Sequence, residues 1–424
     1  MRFGPPQEDV GRSTTSGVGV YLGIVQFLFA ATWIVYVIYL PQLVAQAGLP
    51  KEAVAWILMF DQLVFVFADY ACGVAADRAA KVVGRVGIAV AVATLLSCAA
   101  FVALPHVAPQ GSALVFIGLI AVWAVTSSAL RAPPLALVGR HAAKPTQPLL
   151  LACTLIGLGV ANAFGPYLGL TLRDIDPRLP FALSSGALAL VTIGMVIAER
   201  RLRSASAAPA AAAEPVVRAV TDKAVSEPTP LFALAALFAA MAFQVHVFID
   251  SGPLYVAKAS AAALPTLLPI FWVGFNIAMF PFALAVRRWA ATQVMGMAAT
   301  VAALAALAAN FAPTLPLLIA AQLVAGVAWA GVLVAAFAWA LTRGGGGRAG
   351  TYAGVLSSVL ALATLARMAS VSAGLPEAPV YGLALLWWPV IGWLVASALV
   401  LALRVATRVP PALETAQFPS WRQR

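Results

Sequence analysis

The chain alternates long apolar stretches with short polar breaks. The apolar runs cover roughly 17–40, 53–75, 84–104, 112–138, 147–172, 180–198, 230–256, 263–286, 290–310, 315–341, 351–373 and 379–404. Most hold about 20–28 residues, enough for a helix rising ~1.5 Å per residue to cross a bilayer core of ~30 Å with some tilt. Each run is therefore predicted to be a membrane-spanning helix, twelve in all; reading 263–310 with a different split would give eleven or ten. The longest polar break runs from Glu199 to Thr229. It is rich in Ala, Pro and Ser with scattered charges, the composition of a flexible linker that has little to bury. It divides the runs six and six, so the expected organisation is one unit over 1–198, a linker over 199–229 and a second unit over 230–424 that ends in a polar tail.

Composition agrees with this. Hydrophobic residues make up 62% of the chain and charged residues 10%, a balance that suits a polytopic helical membrane protein and excludes an ordinary soluble domain. The net charge of +11 does not imply nucleic acid, because the basic residues lie in short clusters between apolar runs. With the N-terminus inside, the cytoplasmic segments hold Arg2, Arg12, Arg78, Lys81, Arg85, Arg140, Lys144, Arg287, Arg288, Arg343 and Arg348, besides those of the central linker and the tail. The opposite loops hold Lys51, Arg173, Arg178 and Lys258 of the 26 lysines and arginines. That asymmetry places both termini in the cytoplasm. Cys72, Cys98 and Cys153 lie within apolar runs and read as small buried residues. The first sixteen or so residues are polar and the first run is long enough to span, so no cleavable signal peptide is expected. Compact loops and the lack of a transit-peptide pattern point to a bacterial inner membrane.

The second run leads into Gly73-x-x-x-Asp77-Arg78-x-x-Lys81, with Gly84 and Arg85 just beyond. This resembles the cytoplasmic loop signature G-x-x-x-D-R-x-G-R/K of the major facilitator superfamily, with Ala80 where a second glycine is usual. The matching place in the second half keeps only Arg287 and Arg288. Run five holds Gly157, Gly159, Asn162 and then Gly165-Pro166-x-x-Gly169, which resembles a glycine–proline motif found in many proton-coupled exporters of that superfamily; Leu170 replaces its last glycine. A packing kink explains the same residues. The resemblance implies an all-α fold of twelve transmembrane helices in two pseudo-symmetric six-helix bundles, with the substrate site between them near the midplane. It implies that runs two and eleven face each other, and that a fourth-run arginine such as Arg131 serves proton coupling. Asp77 is then expected to face the start of run eleven, where Gly350 and Thr351 leave polarised N–H groups free.

Polar residues inside membrane helices are costly and mark candidate sites. Asp69 and Arg131 lie roughly 10 Å inside the cytoplasmic ends of runs two and four, counted at ~1.5 Å per residue, and either pair structurally or act in proton coupling or anion attraction. Asp61 and Arg367 lie about 13 Å and 10 Å below the outer ends of runs two and eleven, and are expected either to meet as an outer gate only when the outer side is shut, parting when it opens, or to find separate local partners. His246 and Asp250 stand one helical turn apart in run seven, either a proton-carrying pair or a satisfied polar cluster before Ser251-Gly252-Pro253. Gln26, Trp33, Asn162, Gln244 and Asn276 complete the expected substrate lining, with Arg131, His246 and Arg367; Gln322 reads as helix–helix glue. Proton coupling or gating is assigned to Asp61, Asp69, Asp77, Arg78, Arg131, His246, Asp250 and Arg367.

The function expected is secondary active transport of a small organic, possibly anionic, solute by alternating access, driven by protons, with export favoured by Gly165-Pro166. The expected partners are the solute, protons and the lipid bilayer, the protein acting as a monomer without a cofactor or nucleic acid. Met241, His246, Met279, Met295 and Met297 raise the alternative of copper or a metal chelate, because sulfur and imidazole suit Cu(I). Met295 and Met297, at i and i+2, point to different helix faces, which argues against a shared site. No nucleotide-binding G-x-x-x-x-G-K-[ST] loop, zinc ligand set or nucleophile triad occurs in the chain, so neither an ATP-driven pump nor an enzyme is expected.

Overall fold

The computed structural model describes residues 7–82, 86–207, 229–345 and 347–407. Among the described residues it is helical throughout, without strands, and twelve helices are long and apolar enough to cross a membrane. In chain order they are α1 Gly17–Gln46, α2 Ala53–Ala80, α3 Val86–Gln110, α4 Ala113–His141, α5 Gln147–Thr171, α6 Arg178–Ser204, α7 Thr229–Val256, α8 Ala261–Arg288, α9 Ala291–Asn310, α10 Leu315–Arg343, α11 Ala349–Ser372 and α12 Pro379–Arg404. The eighth and ninth runs are separate helices. Short connections make successive helices antiparallel within each half, and the end of α2 meets the start of α11, so odd-numbered helices start, and even-numbered ones end, at the face where α1 begins. We refer to this as the near face.

In the first half, α1 packs on α5, and α3 on α4 and α6. In the second half, α10 packs on α8 and α9, and α12 on α7 and α9. The halves meet mainly along α2–α11 and α5–α8. Helices in lipid gain no hydrophobic advantage from one another, so close backbone approach carries the packing. At the α2–α11 contact, Gly73 and Gly354 replace side chains: a Cβ on Gly73 would clash with the Gly350 carbonyl, and one on Gly354 would stand 2.6 Å from the Asp69 carbonyl oxygen. The second half is alanine-rich, and α10 is buried on all sides from Ala328 to Leu341. Met279 and Met295 belong to that packed core.

α6 continues past the expected linker boundary, because apolarity marks the membrane and not the end of a helix. Glu199, read from the sequence as the start of the linker, is helical and 3% exposed. Its carboxylate accepts the backbone N–H groups of Val86 and Gly87, at 3.0 and 2.8 Å, capping α3 from a neighbouring helix.

Two helices are interrupted where the sequence requires it. Pro133-Pro134 removes two backbone donors, so α4 tightens into a 3₁₀ turn over Ser128–Leu130 and restarts at Pro133, leaving Arg131 at the break. In α7, Pro253 follows a π turn over His246–Asp250, where the His246 carbonyl accepts both the backbone N–H of Ser251 and, at 2.6 Å, its hydroxyl.

A central cavity between the two halves

A cavity of about 770 Å³ lies between the halves. Its walls come from α1, α2, α5, α7, α8, α10 and α11. It reaches Ala55 at the start of α2 and Ser372 at the end of α11. Its floor holds Arg131, Leu135 and Thr154. Between the floor and the near face, α2 and α11 close on each other. Asp77 Oδ1 accepts the Gly350 N–H at 2.9 Å, and Oδ2 accepts the N–H and hydroxyl of Thr351, both at 2.7 Å. Asp77 thus caps the N-terminus of α11, where the sequence places it. Arg78 is exposed. The side chain of Lys81 lies outside the described residues, as do Gly84 and Arg85.

The cavity wall is largely aromatic and apolar. Trp33 and Phe65 contribute from the first half, and Phe243, Phe248, Trp272 and Trp329 from the second. Gln26, Asn162, Gln244, Arg131 and Arg367 also line it, as expected. Gln322 lines it too, its amide beside the buried His246 ring. Two expected lining residues do not reach it. His246 is 1% exposed, packed against the rings of Phe271 and Trp393. Asn276 donates to the Trp272 carbonyl, and its Oδ1 lies against Gly159 at the α5–α8 crossing. Both face helix–helix contacts because α7 and α8 turn their aromatic sides toward the open space.

The two arginines of the cavity differ in their partners. Arg131 Nε stands 3.2 Å from Asp69 Oδ2, and its guanidinium lies over Phe65 at 4.7 Å. Arg367 has no carboxylate beside it among the described residues. Its Nε donates to Gln244 Oε1 at 2.9 Å, Gln244 Nε2 donates to Thr364 Oγ1 at 2.9 Å, and the guanidinium lies over Phe248 at 5.0 Å. Thr364 and Phe248 escaped the sequence reading, although each stands three or four residues from Arg367 or Gln244 on its own helix.

Asp61 and Arg367 do not meet in this structure. Asp61 is fully buried, turned toward α1, where Tyr36 donates its hydroxyl to Oδ2 at 2.8 Å. Tyr36 carried no sequence signal, being one of several aromatics on α1. His246 and Asp250 share no hydrogen bond: the His246 ring lies beside the Gln322 amide, and Oδ2 of Asp250 has no partner among the described residues. Among the described residues, no three His, Cys, Asp or Glu side chains converge closely enough to hold a metal ion.

Residues 22–366 match the family model of the Major Facilitator Superfamily. No curated protein sequence matches the chain. Among solved structures, the human organic anion transporter MFSD10 (TETRAN) is similar at a TM-score of 0.63 and 15% identity, covering 96% of this chain and 100% of that one. A bacterial homologue of the iron transporter ferroportin in its outward-facing state gives a TM-score of 0.67 at 14% identity, covering 92% of this chain and 99% of its own. The E. coli fucose:proton symporter FucP gives 0.57 at 16%, with 92% and 98% covered. At these identities the structural likeness speaks for the fold alone, while the family match extends over most of the sequence. The chain belongs to the major facilitator superfamily.

Proposed function

We propose that this protein is a secondary transporter for small organic anions with an apolar or aromatic body, working by alternating access between two six-helix bundles, α1–α6 and α7–α12. Arg367 carries this reading. It is the guanidinium of an aromatic-walled cavity with no carboxylate at hand, held from behind by Gln244 and Phe248. A fixed guanidinium with its terminal N–H groups unclaimed suits a carboxylate or similar anion. Arg131 offers less, since Asp69 already balances it. The aromatic side chains supply the contact area for the rest of the solute.

With the termini in the cytoplasm of a bacterial inner membrane, the cavity faces outward and the Asp77–Thr351 contact closes the inner side. Protons drive the cycle through the buried carboxylates of α2 and the His246–Asp250 region, and Gly165-Pro166 supports export as the direction. The named activities of MFSD10 and FucP, an organic anion transporter and a proton symporter, are compatible with this assignment.

The test is binding to the purified protein across paired compounds, each aromatic carboxylate set against its neutral amide. Carboxylates should raise the unfolding temperature and the amides should not. Arg367→Gln should remove the difference. Equal response to both members of every pair would overturn the anion assignment. Counterflow of a radiolabelled hit in proteoliposomes then tests transport, and a pH gradient imposed in each orientation tests coupling and direction.

A further inference from the structure

Three residues of α2 stand at successive turns of one helix face: Asp61, Phe65 and Asp69, spaced i, i+4 and i+8. All three are buried, the two carboxylates completely. One cation serves this face. The Arg131 guanidinium lies over the central Phe65 ring at 4.7 Å and reaches Asp69 through Nε at 3.2 Å. Asp61 has no lysine, arginine or histidine beside it among the described residues. Its Oδ2 accepts from Tyr36, and its Oδ1 has no hydrogen-bond partner.

Among the described residues the surroundings offer no second counter-charge. Tyr36 faces Asp61 from α1. Asp69 has Arg131 and Ser128 from α4 and Cys72 on its own helix. From α11, Gly354 meets the α2 backbone at Asp69 and Ala361 packs with Phe65. Two bare carboxylates with one guanidinium would leave a net buried negative charge, which a low-dielectric interior disfavours strongly. Neutrality needs one proton on the pair.

Arg131 is also free to change partner. It stands at the break in α4 made by Pro133-Pro134, with its side chain 22% exposed to the cavity. The face of an aromatic ring is a tolerant support for a guanidinium. Asp69 engages Nε and leaves the Nη groups unclaimed.

We propose that Asp61 and Asp69 share Arg131 as one counter-charge, so that α2 carries a single exchangeable proton. In the state seen here Arg131 pairs with Asp69, and Asp61 holds the proton as a neutral acid. When Arg131 crosses Phe65 to Asp61, that carboxyl releases its proton and Asp69 takes one up. The charge of the group is unchanged and one proton has moved about two helical turns, ~12 Å, along α2. This deepens the transporter assignment by giving it a proton site, but its test uses no solute and stands apart from the anion assignment.

The experiment is infrared spectroscopy of the full-length protein in lipid membranes, reading the C=O stretch of protonated carboxyl groups and its shift on exchange into D2O. Wild-type protein should show a band that Asp61→Asn removes. Asp69→Asn should remove it as well, because Arg131 then pairs with Asp61. Arg131→Gln should instead enlarge the band, since both carboxylates then need protons. Should Asp61→Asn fail to fold, Asp61→Glu assigns the same signal by moving it. A band that survives Asp69→Asn, or that neither Asp61 variant alters, or that Arg131→Gln leaves unchanged, overturns the shared counter-charge.

Discussion

Thr351 gives both its backbone N–H and its hydroxyl to one oxygen of Asp77, each at 2.7 Å, while Gly350 gives its N–H to the other. A carboxylate from the end of α2 thereby closes the first turn of α11. A side chain that caps a helix and meets its positive end contributes ~1–2 kcal/mol. Asp77→Ala should therefore shift a near-balanced equilibrium between closed and open near faces by roughly 5–30-fold. The measurement is thiol labelling of a cysteine placed at Ala136, on the near side of the cavity floor. Labelling should accelerate in the variant while membrane insertion is unchanged. Unchanged labelling would show that the helices hold this face without the cap.

The contact between Gly73 and the Gly350 backbone makes a sharper prediction. A leucine at residue 73 must push α11 away, because its first carbon would already clash with a backbone carbonyl that cannot rotate aside. Gly73→Leu should lower the unfolding temperature in detergent. It should also raise labelling at Ala136 more than Asp77→Ala does, since it forces apart what the cap only holds together.

Anion binding should decline in a graded order. Arg367→Gln removes the charge, and a lost charge-assisted bond of ~1.5–3 kcal/mol corresponds to about 10–150-fold in Kd. Gln244→Ala leaves the guanidinium without its rear support and should weaken binding less. Thr364→Val acts one bond further back, through Gln244, and should have the smallest effect. Titration of one carboxylate ligand against the three variants checks the order. A Thr364→Val loss as large as that of Arg367→Gln would mean that Thr364 touches the ligand itself.

Glu199 offers a test of fold stability independent of transport. Glu199→Ala leaves the Val86 and Gly87 N–H groups without their acceptor and should destabilise by ~1–2 kcal/mol. Glu199→Gln keeps one acceptor oxygen and should recover part of the loss. Thermal unfolding in detergent reads both.

Much of the architecture was legible because membrane helices announce themselves by length and apolarity, and Asp77 was legible because the Gly73-x-x-x-Asp77-Arg78 stretch resembles a family signature that implies where its carboxylate faces, although its partners lie far away in sequence. The break at Arg131 was visible in Pro133-Pro134. What stayed hidden depends on helix rotation. Nothing in the sequence tells whether Asp61 turns toward α11 or toward Tyr36, since both choices keep it buried. His246 and Gln244 are two residues apart, yet only Gln244 reaches the cavity, because neighbouring positions on a helix face different ways. Glu199 was misplaced for a different reason: Glu199, Arg200 and Arg201 mark the membrane boundary, whereas the helix they belong to carries on beyond it.

The glycine-lined meeting of α2 and α11 has a mechanical consequence. Interlocked side chains act as teeth, and a rocking motion must disengage them one by one. A contact of backbone on backbone has no teeth and behaves as a bearing, along which two rods tilt with little resistance. The hydrogen bonds of Asp77 add a directional grip at one end of this seam, and they form together or part together. Under the proposed alternating access, such a joint would be smooth in its travel and abrupt in its latch, favouring the two ends of its stroke over positions between them.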